Sequence, residues 1–266
     1  MYRLLCLDID GTLLNSRHQI TPGVKKAIQS AGRAGCCVAL VSARMPEGMR
    51  PLAQELGLNT PLLCYSGAFI LDQAETILWQ KQILADLVRT IWLHTRQQQL
   101  HLSLYSEDHW YIEAADFWSG QESDITHIRP QIIDYSKQIS VWEKAGTGPN
   151  KLLCMAEPEK IQQLMALLPR LPLTIYRSKP TYLEIGSPAA SKTKAIEVLA
   201  ARLGITREEI ICIGDNFNDR DMLEYAGLGI AMGNAPQEVQ ASADAVTTTN
   251  DEDGVARAIE KYYFGQ

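Results

Sequence analysis

Two acidic segments carry the chemistry this chain can do. The first, Asp8-Ile9-Asp10-Gly11-Thr12-Leu13, directly follows the short apolar run Arg3–Asp8. Side chains two apart in extended backbone point the same way, so Asp8 and Asp10 converge at the carboxyl end of a strand. That end is where open α/β sheets bind ligands, and Gly11 lets the chain turn away sharply. Neighbouring carboxylates repel unless a cation sits between them or one keeps a proton. The pair therefore points to Mg²⁺, a hard ion that prefers oxygen ligands, rather than to an Asx turn that only ends a strand.

The second segment, Ile213-Gly214-Asp215-Asn216-Phe217-Asn218-Asp219, also follows an apolar strand. Asp215 stands at the strand end, and Asp219, four residues on, falls on the same side of a helical turn. Alone this pattern reads as a capped helix with acidic residues at its positive end. Beside the first segment it completes an oxygen-rich metal site. Two weaker features join them. Ser42, in Val41-Ser42-Ala43-Arg44, follows a strand and is placed to bond a phosphate oxygen, with the N–H groups of the next helix start beside it. By itself a serine there is an N-cap. Lys192, in Ser191-Lys192-Thr193-Lys194, sits at a helix start, where a lysine opposes the dipole unless an anion lies in front of it.

The elements that must position these residues are legible on either side of a distinct middle. In the first third, strands are expected at Arg3–Asp8, Cys36–Val41 and Pro61–Tyr65, with helices at Thr21–Ala34 and Pro46–Leu56. Thr21 is the expected N-cap, and Pro22 takes the first helical position. The last third repeats the alternation, with helices at Ser191–Leu203, Asn218–Tyr225, Pro236–Ala241 and Asp253–Tyr262. Its strands fall at Ile210–Ile213, Leu228–Met232 and Ala245–Thr248. This order implies a parallel sheet with helices on its faces. The middle holds four of the five His, His94 to His127, and all five Trp lie between Trp79 and Trp142. Its strands, His101–Ser106, Trp110–Ile112 and Tyr182–Ile185, alternate in polarity, which implies an antiparallel sheet with one covered face. The expected division is a core of residues 1–83 and 186–266 and an inserted domain of residues 84–185.

Composition narrows the partners. The chain has 266 residues, 25 basic and 31 acidic, for a net charge of −6, without the basic stripe of a nucleic-acid binder. Apolar runs such as Cys36–Val41 fall far short of the roughly 18 residues of a membrane span. The N-terminus has no signal-peptide pattern. The cysteines (Cys6, Cys36, Cys37, Cys64, Cys154, Cys212) lie in apolar runs without metal-binding spacing, as reduced core residues of a cytoplasmic protein would.

These stations, in this order, resemble the haloacid dehalogenase-like (HAD) phosphohydrolases, most specifically at residues 8–13 and 214–235, the latter similar to the Cof-type subfamily. The resemblance implies a Rossmann-like α/β core with an inserted α/β cap that sets substrate specificity. It implies a Mg²⁺-dependent phosphatase of small phosphorylated metabolites, sugar phosphates or phosphorylated cofactors. Asp8 would be the nucleophile that becomes an aspartyl-phosphate, and Asp10 the general acid/base. Ser42, Ala43, Lys192 and Asn218 would contact the phosphate. Asp8, the carbonyl of Asp10 and Asp215 would ligate the metal, with Asp219 supporting it. Relatives usually read Thr-Gly-Arg at Ser42-Ala43-Arg44, often Asn-Gly at Ser66-Gly67, and often Lys-Gly at Pro188-Ala189. Trp110, Tyr111, Trp118, Arg177 and Lys179 are the cap residues expected to meet substrate or to pack. The alternatives are a phosphomutase, a non-catalytic phosphometabolite-binding regulator and a receiver-like phosphoacceptor. Oligomeric state is unassigned.

Overall fold

A computed structural model describes residues 2–168 and 171–265. The chain runs through β1 (Leu4–Asp8), α1 (Pro22–Arg33), β2 (Cys37–Val41), α2 (Pro46–Leu56), β3 (Leu62–Cys64), β4 (Phe69–Leu71) and β5 (Ile77–Gln80). There follow α3 (Ala85–Gln97), β6 (His101–Ser106), β7 (His109–Ile112), α4 (Phe117–Thr126), β8 (Gln131–Ile132) and α5 (Tyr135–Ala145). Next come β9 (Lys151–Met155), α6 (Pro158–Leu167), β10 (Thr174–Lys179) and β11 (Tyr182–Gly186). The last third is α7 (Lys192–Leu203), β12 (Ile210–Gly214), α8 (Arg220–Tyr225), β13 (Leu228–Ala231), α9 (Gln237–Gln240), β14 (Ala245–Val246) and α10 (Gly254–Ala258).

One compact unit comprises residues 1–44, 49–79 and 191–266; the other comprises 45–48 and 80–190. The crossings therefore lie a few residues outside those expected at 83/84 and 185/186. Residues 80–83 belong with the insertion because Ile83 N–H donates to the Pro149 carbonyl (2.8 Å) and Asn150 Nδ2 to the Lys81 carbonyl (3.0 Å). Ile83 is also buried in the insertion's core.

The first unit is built on an eight-stranded sheet in the order β14-β13-β12-β1-β2-β3-β4-β5. From β14 to β3 neighbouring strands are parallel. The run Leu4–Asp8 is apolar almost throughout because both faces are covered. Leu4 and Cys6 join a cluster with Ala195, Ile196 and Leu199 of α7 and Met222 and Leu223 of α8. Leu5 and Leu7, which alternate to the opposite face, are just as deeply buried. Thr21 caps α1 as expected, its hydroxyl accepting from Val24 N–H (3.2 Å). The expected helix at Asn218–Tyr225 is instead a tight turn, Phe217–Asp219, followed by α8. Asn216 and Asp219 close a reciprocal cap there, which holds the first residues out of the α-helix.

The sheet also departs from all-parallel. After β3 the chain reverses through Tyr65 and Ser66, both at φ 52°, and β4 returns antiparallel to β3. A left-handed backbone is uncommon for non-glycine residues and is most accessible to Asn and Asp, yet Tyr and Ser adopt it here. The turn is held from the site side: Tyr65 N–H donates to the Arg44 carbonyl (3.0 Å) and Ser66 N–H to the Ser42 carbonyl (2.8 Å).

The second unit has a six-stranded sheet, β10-β11-β9-β6-β7-β8, antiparallel except for the parallel pair β7–β8. Leu102, Leu104, Leu152, Cys154, Leu183 and Ile185 face a core with α3, α5 and α6. The polar alternates are buried too, contrary to a single covered face. His101 and Ser103 are 6% and 0% exposed. A chain of hydrogen bonds runs from Trp110 Nε1 to Ser103 Oγ (2.8 Å), on to His101 Nε2 (2.7 Å), and from Nδ1 to Asp116 Oδ2 (2.7 Å). Asp116 in turn caps α4. Trp110 is thus a buried packing residue, stacked on Tyr105. Arg177 and Lys179 are exposed, while Tyr111 and Trp118 are half-buried. None of the six cysteines is in a disulfide, and all but Cys37 are buried. No helix among the described residues is long and apolar enough to cross a membrane.

Candidate active site

The site lies where the sheet's connections change direction. β1 is flanked by β2 on one side and β12 on the other, and such switch points open a crevice beyond the carboxyl ends of the strands. Register does the placing. Asp8 pairs with Val41, and Leu7 with Ile213, so Asp8, Ser42 and Asp215 emerge side by side. Carboxylate oxygens of Asp8, Asp215 and Asp219 lie within 4.8 Å of one another.

Lys192, the first residue of α7, reaches into this cluster. Its Nζ is 2.5 Å from Asp8 Oδ1 and 2.5 Å from Asp219 Oδ1. All three side chains are buried, with Lys192 at 3%, Asp8 at 6% and Asp219 at 0% exposure. Asp219 has both oxygens engaged, since Oδ2 accepts the N–H groups of Asp215 (3.1 Å) and Asn216 (3.0 Å). It therefore fixes Lys192 and the Asp215 turn together. Thr12 Oγ1 donates to Asp215 Oδ1 (2.8 Å). Gly11, at φ +86°, is required here: a Cβ would stand 2.4 Å from Asp215 Oδ2.

The electrostatics show a shortage of positive charge. Burial, then the Asp219 carboxylate, pushes the Asp8 carboxyl well above its usual range despite Lys192. Burial pushes Asp215 up to about 6, with the Thr12 hydrogen bond opposing and Asp219 reinforcing. Burial alone would lower the Lys192 pKa, but the carboxylates of Asp219 and Asp8 outweigh it and raise it. Three carboxylates around one ammonium favour a further cation. The donors are all oxygen, and among the described residues one oxygen each of Asp8 and Asp215 has no hydrogen-bond donor. That set fits a hard divalent ion such as Mg²⁺.

Asp10 is placed differently. Its carboxylate turns to Arg44, which grips it with two hydrogen bonds, Nε to Oδ2 (2.9 Å) and Nη2 to Oδ1 (2.6 Å). Ser42 is 2% exposed, and its Oγ accepts the Arg44 N–H (3.2 Å), which leaves the hydroxyl proton for another acceptor. Ala43 is half-buried between them. Asn218 sits exposed on the turn, outside the hydrogen-bonded cluster of described residues. Arg44 and Thr12 receive no role from the sequence. Both stand inside quoted motifs, but their partners, Asp10 and Asp215, lie 34 and 203 residues away.

The comparisons with known proteins agree with this architecture. A family described as haloacid dehalogenase-like hydrolase matches residues 5–259. A Haemophilus influenzae protein is 34% identical over 267 residues, 99% of each chain. The 5-amino-6-(5-phospho-D-ribitylamino)uracil phosphatase of Bacillus subtilis is 30% identical, over 98% of this chain and 95% of its own. A crystal structure of a haloacid dehalogenase-like hydrolase from Bacteroides thetaiotaomicron superposes with a TM-score of 0.90 at 31% identity, covering 98% of this chain and 99% of that one. With these matches spanning both the acidic strand ends and the insertion, the chain belongs to the haloacid dehalogenase-like hydrolases.

Proposed function

We propose that this enzyme, a phosphatase of its family, releases inorganic phosphate from small phosphomonoesters with a divalent cation, Mg²⁺, and Asp8 as nucleophile. The observation that carries the reading is the buried cluster at the adjoining strand ends, where Asp8 and Asp215 face one another and Lys192 grips Asp8. Phosphoryl transfer needs in-line placement and neutralised charge more than covalent work. When bound, Mg²⁺ would be held by Asp8, Asp215 and the Asp10 carbonyl and would offset the repulsion between Asp8 and the phosphate.

The protein's own groups do the rest. Lys192 uses two of its three protons on Asp8 and Asp219, and the third is available to a phosphate oxygen. Ser42 offers its hydroxyl proton to another. Asp8 Oδ attacks phosphorus and the ester oxygen leaves with a proton from Asp10. A water, deprotonated by Asp10, then hydrolyses the acyl-phosphate. Arg44, hydrogen-bonded to Asp10 here, would have another anion to hold in an incoming phosphate, which would let Asp10 turn to the leaving group. The inserted unit supplies the leaving-group selectivity, with Tyr111, Trp118, Arg177 and Lys179 as its candidate contacts. The reading places the enzyme in the cytoplasm with soluble metabolites as substrates.

The test is phosphate release from a panel of phosphorylated metabolites, with Mg²⁺ and with EDTA, for wild type and Asp8→Asn. Expected are Mg²⁺-dependent release by wild type and loss of turnover in a folded Asp8→Asn variant. Full activity in that variant, purified free of wild type, refutes the nucleophile.

A further inference from the structure

We propose that Asn234 is a positioning residue that pins the Gly11 peptide and so fixes the loop carrying Asp10 and Thr12, an inference that rests on the function proposed above. Asn234 lies in the quoted stretch at residues 214–235, and no role follows for it from that stretch. Its amide is used at both ends. Nδ2 donates to the Gly11 carbonyl (2.9 Å), and Oδ1 accepts the Asn250 N–H (3.0 Å). Asn250 extends the contact, its Nδ2 donating to the Leu14 carbonyl (2.9 Å). Farther along, Ser16 N–H donates to Asp251 Oδ1 (2.9 Å) and Thr21 Oγ1 to Asp253 Oδ1 (2.5 Å). A segment near the C-terminus thus lies along the chain that leaves β1.

The pin is itself held. Gly233 N–H donates to the Thr248 carbonyl (3.1 Å), and a Cβ at Gly233 would come within 2.9 Å of that backbone. Only glycine permits so close an approach. Thr249 closes the turn Asn250–Glu252, its Oγ1 donating to Glu252 Oε2 (2.9 Å). Asn234 is exposed, so its amide has water as an alternative partner and buries nothing. Holding it in this bridge does little for the core, but it engages the Gly11 carbonyl of a turn whose Thr12, Leu13 and Leu14 N–H groups already donate back to Ile9, Asp8 and Ile9 (3.4, 3.2 and 3.0 Å). Asp8 is fixed by β1, whereas Gly11 has the widest backbone choice of any residue type. Rotation there would carry Asp10 and Thr12 with it, and with Thr12 the hydrogen bond that orients Asp215.

Asn234→Asp separates this role from packing. It keeps the size and the acceptor for Asn250, but it replaces the donor to Gly11 with a charge that repels the carbonyl. Asn234→Ala removes both ends. Both variants should keep the wild-type melting temperature. Both should lower kcat about 10- to 100-fold, the scale expected of a misplaced catalytic group. KM for the same phosphomonoester should change little, because Lys192 and Ser42 are untouched. Hydrogen–deuterium exchange of the segment 9–15 should accelerate in both, with or without Mg²⁺. Wild-type kcat in Asn234→Asp, or unaltered exchange in that segment, overturns the proposal. A wild type that releases no phosphate from any substrate instead overturns the proposed function, and the exchange measurement then decides the pin by itself.

Discussion

Lys192→Met tests whether the cluster at the strand ends is held by charge. Lys192, Asp8 and Asp219 are at most 6% exposed, so water screens their interactions little. Removing one partner of a buried ion pair costs about 3–5 kcal/mol, because the remaining charge is left uncompensated. Here the loss orphans Asp8 and Asp219 together, with Asp215 also within 4.8 Å. At roughly 2–4 °C per kcal/mol for domains of this size, the unit carrying the site should melt roughly 6–20 °C lower in EDTA. Melting is best followed by far-UV circular dichroism, since Trp79 is the only tryptophan in that unit. Two further arms separate charge from packing. Adding Asp219→Asn removes an orphaned carboxylate and keeps an oxygen for the Asp215 and Asn216 N–H groups. The double variant should therefore be more stable than Lys192→Met by about 2 kcal/mol, a coupling typical of residues in one network. Saturating Mg²⁺ should also restore part of the loss. A Lys192→Met protein melting within about 2 °C of wild type in EDTA, or strict additivity in the cycle, refutes the charge argument.

Arg44→Ala should lower kcat/KM at least about tenfold by removing the cation that would hold the incoming phosphate, and Arg44→Lys should not restore it, since an ammonium cannot reproduce the two-pronged hold of a guanidinium; equal activity of the lysine variant counts against that hold. Thr12→Val removes the donor to Asp215 Oδ1 and should weaken Mn²⁺ binding, read by calorimetry, by about 1 kcal/mol; unchanged affinity separates Asp215 from the metal. In the inserted unit, burial holds the His101 pKa below its ordinary value. Burial opposes ionisation of Asp116, but the Ser119 N–H and His101 hold its pKa low. The unfolded chain therefore binds more protons, and stability falls as pH drops below about 6.5 and on through the carboxylate range. The melting temperature of this unit should decline from pH 7 to 5, less steeply in His101→Asn; parallel declines refute the assignment.

The first unit was legible wherever local chemistry decides the element. Residues 4–7 of β1 and Ile210–Gly214 carry no polar side chain because both faces are covered, and that continuity shows in the residues themselves. Thr21-Pro22 and Gly204 mark helix ends by hydrogen-bond supply and backbone freedom. The β4 return was not legible, because its turn uses Tyr65 and Ser66 in a conformation that neither residue type announces. The polar alternates of the inserted sheet read as a solvated face. Their burial follows from His101, Ser103 and Trp110 satisfying one another and Asp116, a set of partners that alternation in polarity does not encode.

The site divides along the same line. Asp8, Ser42 and Asp215 were legible because each follows directly on an apolar strand, and residues at strand ends must gather wherever those strands are neighbours. What each carboxylate does there depends on contacts made across the chain. Asp10 turns to Arg44, Asp215 takes the Thr12 hydroxyl, and Gly11 is met by Asn234, 223 residues away. Spacing alone makes Asp8 and Asp10 equivalent members of a pair. Their partners make them different: Asp8 is buried against Lys192, while Asp10 is about half exposed and tied to Arg44. A nucleophile gains from a fixed position, and a proton carrier from access to the leaving group and to water. The division of labour proposed for the two aspartates thus rests on the environments built around them by residues distant in the sequence.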